Sequence, residues 1–122
     1  SELNVVDDQI GSPTYTVDLA KILVDMSCSD KYGTYNVTNS EYCSWAEFAE
    51  YIFESNKKCV KVNKVTTEEY LEITGTKQAY RPRNSRLDKS KLEENFVLLP
   101  SFKDAVNRYN IELQKEKENA WS

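Results

Sequence analysis

Histidine is absent from this sequence, and glycine and cysteine occur only three times each. Each shortage excludes some chemistry. Without histidine, the usual zinc ligand sets and the commonest general base are missing. Gly11, Gly33 and Gly75 stand far apart. They cannot form the G-x-G-x-x-G turn that brings a dinucleotide pyrophosphate to a helix N-terminus. Cys28, Cys43 and Cys59 are odd in number and show no C-x-x-C spacing, which fits a reducing compartment and idle or buried thiols. No apolar run approaches the roughly 20 residues needed to span a bilayer. Ser1-Glu2-Leu3-Asn4 has neither the basic start nor the apolar core of a signal peptide. The expected location is therefore the cytoplasm, with no membrane partner.

Positive charge is also in short supply. Lysine and arginine number 16 against 20 acidic residues, for a net charge of −4 and a pI near 4.9. Binding to a phosphate backbone needs a basic face, so nucleic acid is not the expected partner. The 122 residues suffice for one domain with a modest core. With 39% hydrophobic and 30% charged residues, the composition is globular. No repeat, linker or second domain is visible, and residues 1–122 read as a single unit whose tail frays from about Gln114.

Helical and strand periodicities alternate. Val5 to Ile10, Thr34 to Thr38 and Cys59 to Val65 read as strands, with a turn at Gly11-Ser12-Pro13. Thr16 reads as an N-cap, with Asp18 in the first turn and Leu19, Ile22, Leu23 and Met26 as an apolar stripe. Ser44-Trp45-Ala46-Glu47 and Thr66-Thr67-Glu68-Glu69 are capping boxes. Behind the first, Trp45, Phe48, Ala49 and Ile52 line one face and read as core. The second opens a short helix to about Thr74, stopped by Gly75. Asp88 caps a brief helix through about Asn95. Ser101 with Asp104 caps a last helix striped by Phe102, Ala105, Val106 and Tyr109. The expected fold is a small α/β lobe, with several helices against a few short strands.

What positive charge there is gathers in Tyr80-Arg81-Pro82-Arg83-Asn84-Ser85-Arg86-Leu87-Asp88, which holds three arginines. Guanidinium groups fork onto phosphate or carboxylate oxygens. The stretch therefore reads either as an anchor for an anionic ligand or as a solvated loop whose arginines pair with nearby carboxylates.

Four ordered blocks decide how to weigh these. They are Val5-Val6-Asp7-Asp8-Gln9-Ile10-Gly11-Ser12-Pro13-Thr14-Tyr15-Thr16-Val17-Asp18-Leu19-Ala20, then Gly33-Thr34-Tyr35-Asn36-Val37-Thr38-Asn39, then Ser44-Trp45, then Arg81-Pro82 with Asn84-Ser85-Arg86-Leu87. In this order, from about Leu3 to about Tyr109, the chain resembles the C-terminal part of the dTDP-4-dehydrorhamnose reductases. These form a group of extended short-chain dehydrogenase/reductases.

The resemblance implies a substrate-binding lobe without the Rossmann nucleotide-binding lobe. It also implies that a full-length parent is an NAD(P)H-dependent enzyme reducing dTDP-4-dehydro-L-rhamnose to dTDP-L-rhamnose. That family's catalytic Y-x-x-x-K is absent here, since none of the eight tyrosines has lysine four positions on. Catalytic and cofactor-binding residues, the bound NAD(P)H and the missing N-terminal lobe as partner are thus expected outside this chain. No metal is expected.

By the same resemblance, Arg81 is the residue expected to reach the diphosphate of the dTDP-sugar. Asn84 and Ser85 shape that loop or touch the ligand, while Arg83 is solvated. Gln9 and Thr14 fix the turn of their block or contact the ligand. The regulatory β subunit of methionine adenosyltransferase shares the fold, so a non-catalytic protein-interaction role is the alternative. A free-standing small binding protein is a third reading. The strand around Tyr35, expected to pair with the missing lobe, leaves an unpaired edge here that could recruit a second copy into a homodimer.

Overall fold

The computed structural model describes residues 1–75 and 79–120. The chain folds into two compact units, one formed by Ser1–Gly11 with Tyr42–Arg86 and the other by Ser12–Glu41 with Leu87–Ser122. The small α/β class read from the sequence holds. Among the described residues, five helices accompany a few short strands.

The first unit is built on a parallel pair. Strand β1 (Glu2–Val6) runs beside β4 (Lys61–Val65), with Glu2 opposite Lys61 and Val6 opposite Val65. Asp7 N–H continues the ladder to the Val65 carbonyl at 2.9 Å. Parallel neighbours need a crossover, and helix α2 (Trp45–Ser55) lies within it and touches both strands. Its capping box is complete. Ser44 Oγ accepts from Glu47 N–H at 3.1 Å, and Glu47 Oε1 accepts from Ser44 N–H at 3.3 Å. The buried face of α2 centres on Ala46, with Ala49 and Phe53 half-buried one and two turns on. That choice of face corrects the reading of Trp45 as core: at the first helical position this residue is 56% exposed.

Helix α3 (Thr67–Thr74) starts from Thr66, whose side chain accepts from Glu69 N–H at 3.1 Å. It ends where Gly75 takes φ 64°, a left-handed conformation that an L side chain resists. The expected strand from Val5 to Ile10 is broken by Asp7–Gln9. Its second piece, β2 (Ile10–Gly11), pairs antiparallel with β3 (Cys43–Ser44). Gly11 is therefore a strand residue opposite Cys43 rather than part of a turn.

The second unit holds helices α1 (Thr16–Ser27), α4 (Ser90–Asn95) and α5 (Phe102–Ala120). Ile22, Leu92 and Leu99 form its core, with Leu19, Met26, Tyr35, Val37 and Phe96 packed around them. Tyr15 stands at the N-cap of α1 without a side-chain cap, so Thr16 is already helical. Leu23 is exposed, because the inward stripe runs through Asp18, Ile22 and Met26. Ser101 Oγ accepts from Asp104 N–H at 3.3 Å at the start of α5. Asp88 Oδ1 accepts from Ser90 N–H at 2.8 Å at the start of α4. The charged run after Gln114 continues as helix to Ala120.

The strand expected at Thr34 to Thr38 does not form. The alternation is real, since Tyr35 and Val37 turn toward the core. No described strand lies alongside, however, and side-chain bonds replace a ladder. Tyr35 Oη donates to the Lys31 carbonyl at 2.8 Å and Asn36 Nδ2 to the Asp88 carbonyl at 3.0 Å. The segment is thus unladdered here, as a strand whose sheet partner lies outside the chain would be.

Candidate functional site

The arginine-rich segment is held against the first unit by its backbone. Ile10 N–H donates to the Arg83 carbonyl and Ser85 N–H to the Ile10 carbonyl, both at 2.7 Å. This makes an isolated parallel bridge between Ile10 and Asn84. Ile10 thus serves two neighbours, Ser44 on one side and Asn84 on the other. A Cβ on Gly11 would meet Ser85 Cβ at 3.5 Å, an ordinary contact. The space there does not demand glycine.

The sequence-derived site residues are placed unequally. Arg81 is exposed and, among the described residues, pairs with no carboxylate. Asn84 uses Oδ1 to accept from Arg86 N–H at 3.1 Å, a local turn that shapes the loop. Ser85 is exposed and anchored through its amide. Gln9 Nε2 donates to Thr67 Oγ1 at 3.2 Å. Gln9, Asn84 and Ser85 are thus gathered on either side of Ile10. Thr14 belongs to the other unit, where it is exposed between Pro13 and Tyr15. Both of its neighbours bond Asn39: the Pro13 carbonyl accepts from Asn39 N–H at 3.2 Å, and Tyr15 N–H donates to Asn39 Oδ1 at 2.7 Å.

Two features were not tied to named partners by the sequence, although one of its two readings had arginines of this stretch pairing with nearby carboxylates. Arg83, expected to be merely solvated, lies 3.5 Å from Asp8 Oδ2 through Nε and bonds Glu68 Oε1 through Nη2. The acceptor was legible as a second aspartate in Asp7-Asp8-Gln9, but its distance from Arg83 in the chain hid the pairing. Asp8 also seals the first turn of α3. It accepts from Thr67 N–H at 3.1 Å and from Thr67 Oγ1 at 2.6 Å. The Thr67 hydroxyl, followed by its amide and by Arg83, holds the Asp8 carboxyl below its ordinary value against the opposing effect of desolvation. Asp7, its neighbour, accepts from the N-cap hydroxyl of Ser44 at 2.6 Å. The two adjacent aspartates thus fasten the starts of two helices. Arg86 closes the segment, its guanidinium 5.7 Å from the centre of the Tyr42 ring.

The second missed feature lies in the other unit. Asp18 is 4% exposed and takes two parallel bonds of 2.7 Å from Arg108 and one of 2.8 Å from Asn39 Nδ2. Arg108 also donates to Asp104 at 2.8 Å and lies over the Tyr15 ring at 5.5 Å. The Arg108 hydrogen bonds, partly opposed by burial, lower the Asp18 carboxyl, and the same bonds raise the Arg108 guanidinium. Both Asp18 oxygens accept from Arg108, and the cluster reads as a structural fixture of the second unit.

Among the described residues no cluster of carboxylates and thiols could hold a metal ion, and no helix is long and apolar enough to cross a membrane. The described site offers a cationic side chain on a pinned loop.

Comparison with known proteins gives this arrangement a family. Residues 1–115 match the RmlD substrate binding domain. The spore coat polysaccharide biosynthesis protein SpsK of Bacillus subtilis is 43% identical over 88% of this chain and 36% of its own length. The dTDP-4-dehydrorhamnose reductase of Escherichia coli K12 is 35% identical over 92% of this chain and 40% of its own. Among solved structures, the dTDP-4-dehydrorhamnose reductase of Clostridium acetobutylicum superposes with a TM-score of 0.84 at 38% identity, covering 93% of this chain and 39% of that one. The Bacillus anthracis reductase, solved in complex with NADP, gives a TM-score of 0.81 at 39% identity over 92% of this chain and 38% of that one. The chain thus spans well under half the length of the proteins it matches, and it belongs to the RmlD substrate binding domain family.

Proposed function

We propose that this chain supplies the substrate grip of a dTDP-4-dehydrorhamnose reductase. It holds the nucleotide-sugar by its diphosphate, while a nicotinamide-binding lobe of the same enzyme reduces dTDP-4-dehydro-L-rhamnose to dTDP-L-rhamnose with NAD(P)H. The observation that carries this reading is Arg81, an exposed guanidinium without a carboxylate partner among the described residues, two residues from a loop backbone fastened by bonds of 2.7 Å. A forked cation on a pinned loop binds a diphosphate by charge-assisted hydrogen bonds far from the reacting carbon. Affinity gained there can orient the sugar for chemistry supplied elsewhere.

Asn84 and Ser85 hold the loop in this reading. Gln9 and Thr14 each fix the turn of their own segment. No residue of the chain is assigned a catalytic role. The residues present do not fit a dinucleotide: α1, α2 and α3 begin after Tyr15, Ser44 and Thr66, none preceded by a glycine-rich turn. We therefore assign NAD(P)H to the nicotinamide-binding lobe and derive no step through it here. The reductase names of the relatives support this enzyme reading over that of a regulatory subunit.

Titration of dTDP, by calorimetry or ligand-observed NMR, tests the grip. The chain alone is expected to bind weakly, and Arg81→Ala to weaken binding by roughly tenfold or more, the size of a lost charge-assisted hydrogen bond. Equal affinity of the two proteins removes the role given to Arg81.

A further inference from the structure

The loop that carries Arg81 is exposed from Ala79 to Asp88. Backbone bonds from Ile10 fix its middle. The Arg83 side chain adds a second tie. It reaches out of the loop to two carboxylates at once, Asp8 and Glu68. Asp8 is itself immobilised by the amide and hydroxyl of Thr67, the first residue of α3, and Glu68 follows within the same helix. Gln9 braces the same hydroxyl from the other side. The loop is thereby tied to the start of a helix through one guanidinium.

We propose that Arg83 is a positioning residue: clasped by Asp8 and Glu68, it holds the loop so that Arg81 meets the diphosphate of a nucleotide-sugar already ordered. The inference rests on the functional reading above and deepens it. Its physical content is preorganisation. An arginine on a free loop must lose backbone and rotamer freedom when it binds, and a loop fixed beforehand has already lost part of it. The fork geometry matters too, because a planar guanidinium spans two acceptors in a way an ammonium does not. A competing role, in which Arg83 leaves its carboxylates and contacts phosphate itself, predicts a different coupling with Arg81.

A double-mutant cycle separates the two. With dTDP as the probe, affinities are measured for the parent chain, Arg83→Ala, Arg83→Lys, Arg81→Ala and the Arg81→Ala/Arg83→Ala double variant. Amide exchange is followed at Ser85 and, as an internal reference for folding, at Glu47. Arg83→Ala is expected to weaken binding by roughly three- to fivefold, the range of an exposed ion pair. Arg83→Lys should recover part of the loss. Removing Arg83 should cost nothing more once Arg81 is gone. Exchange at Ser85 should quicken in Arg83→Ala while Glu47 stays protected. Parent-like affinity of Arg83→Ala, an equal loss with and without Arg81, or unchanged exchange at Ser85 each overturns the positioning role while leaving Arg81 in place. A parent chain that ignores dTDP, or an Arg81→Ala variant that binds like the parent, overturns the functional reading and this one together.

Discussion

The two units each contain an arginine shared between two carboxylates, and the two clusters have opposite characters. Around Arg108, the Asp18 side chain is 5% exposed and the arginine's own 33%. The guanidinium meets its partner through two parallel bonds, and Asn39 and Tyr15 fill what remains. Around Arg83, the arginine side chain is 65% exposed, and the contacts with Asp8 and Glu68 are splayed. The same pair of functional groups thus yields a fixture in one place and a tether in the other. Water makes the difference. A desolvated charge that loses its partner cannot be rehydrated without opening the core, whereas an exposed one simply returns to solvent. Positive charge is densest in the sequence around Arg83, yet the least exposed of the described ion pairs is that of Arg108.

The largest expected effect follows directly. Arg108→Ala leaves Asp18 ionised and short of its bidentate partner, which costs about 3 to 5 kcal/mol when a buried pair is broken from one side. Urea unfolding followed by far-UV circular dichroism measures it. Asp18→Asn/Arg108→Met, which removes both charges, should recover much of the loss. A shift of the midpoint no larger for Arg108→Ala than for a surface substitution would break the contrast between the clusters.

Acid probes the same pair with the sign fixed by its ionisation. The Asp18 carboxyl sits below the ordinary value of 3.8, lowered chiefly by the Arg108 hydrogen bonds. Its contribution to stability is therefore complete above that value and is lost as pH falls through the lower folded value. Unfolding midpoints are expected to decline below about pH 4, and the part of the decline due to Asp18 should vanish in Asp18→Asn. Stability that rises on acidification would contradict the assignment.

The local signals were legible where one segment suffices to write them. Ser44 with Glu47 closed a capping box, Thr66 capped α3, and Gly75 stopped it. The parallel partner of Cys59 to Val65 was not legible, because register is set by tertiary packing rather than by either strand. The Thr34 to Thr38 segment shows the limit of periodicity: Tyr35 and Val37 do alternate inward, but alternation reports burial and not a neighbouring strand. Trp45 and Leu23 show that a stripe read from hydrophobicity alone can be rotated by one position when Ala46 or Asp18 takes the inward place. Asp18 did leave a trace in the sequence. It precedes Ile22 and Met26 by one and two turns, so a carboxylate stands on the apolar face and calls for a buried cation. Of the site, the loop and Arg81 were marked by family resemblance. The clasp on Arg83 was not, since Asp8 and Glu68 come from segments far from each other and one is far from Arg83 in the chain.

The smallest expected effect is on the other side of the comparison. Arg83→Ala should change unfolding stability by no more than about 1 kcal/mol, because an exposed pair exchanges its attraction for hydration. Raising salt should erase most of that difference, since screening at molar ionic strength acts within about 3 Å. The Arg108 pair, whose carboxylate is buried, should keep more of its effect under the same salt. The salt series is the sharper measurement, because it distinguishes the clusters even if the two substitutions happen to cost similar amounts in dilute buffer. A salt-insensitive loss at Arg83 would mean that its carboxylates are effectively desolvated. The loop would then be a structural fixture like the Arg108 cluster, with Arg81 held by the fold rather than tuned for a ligand.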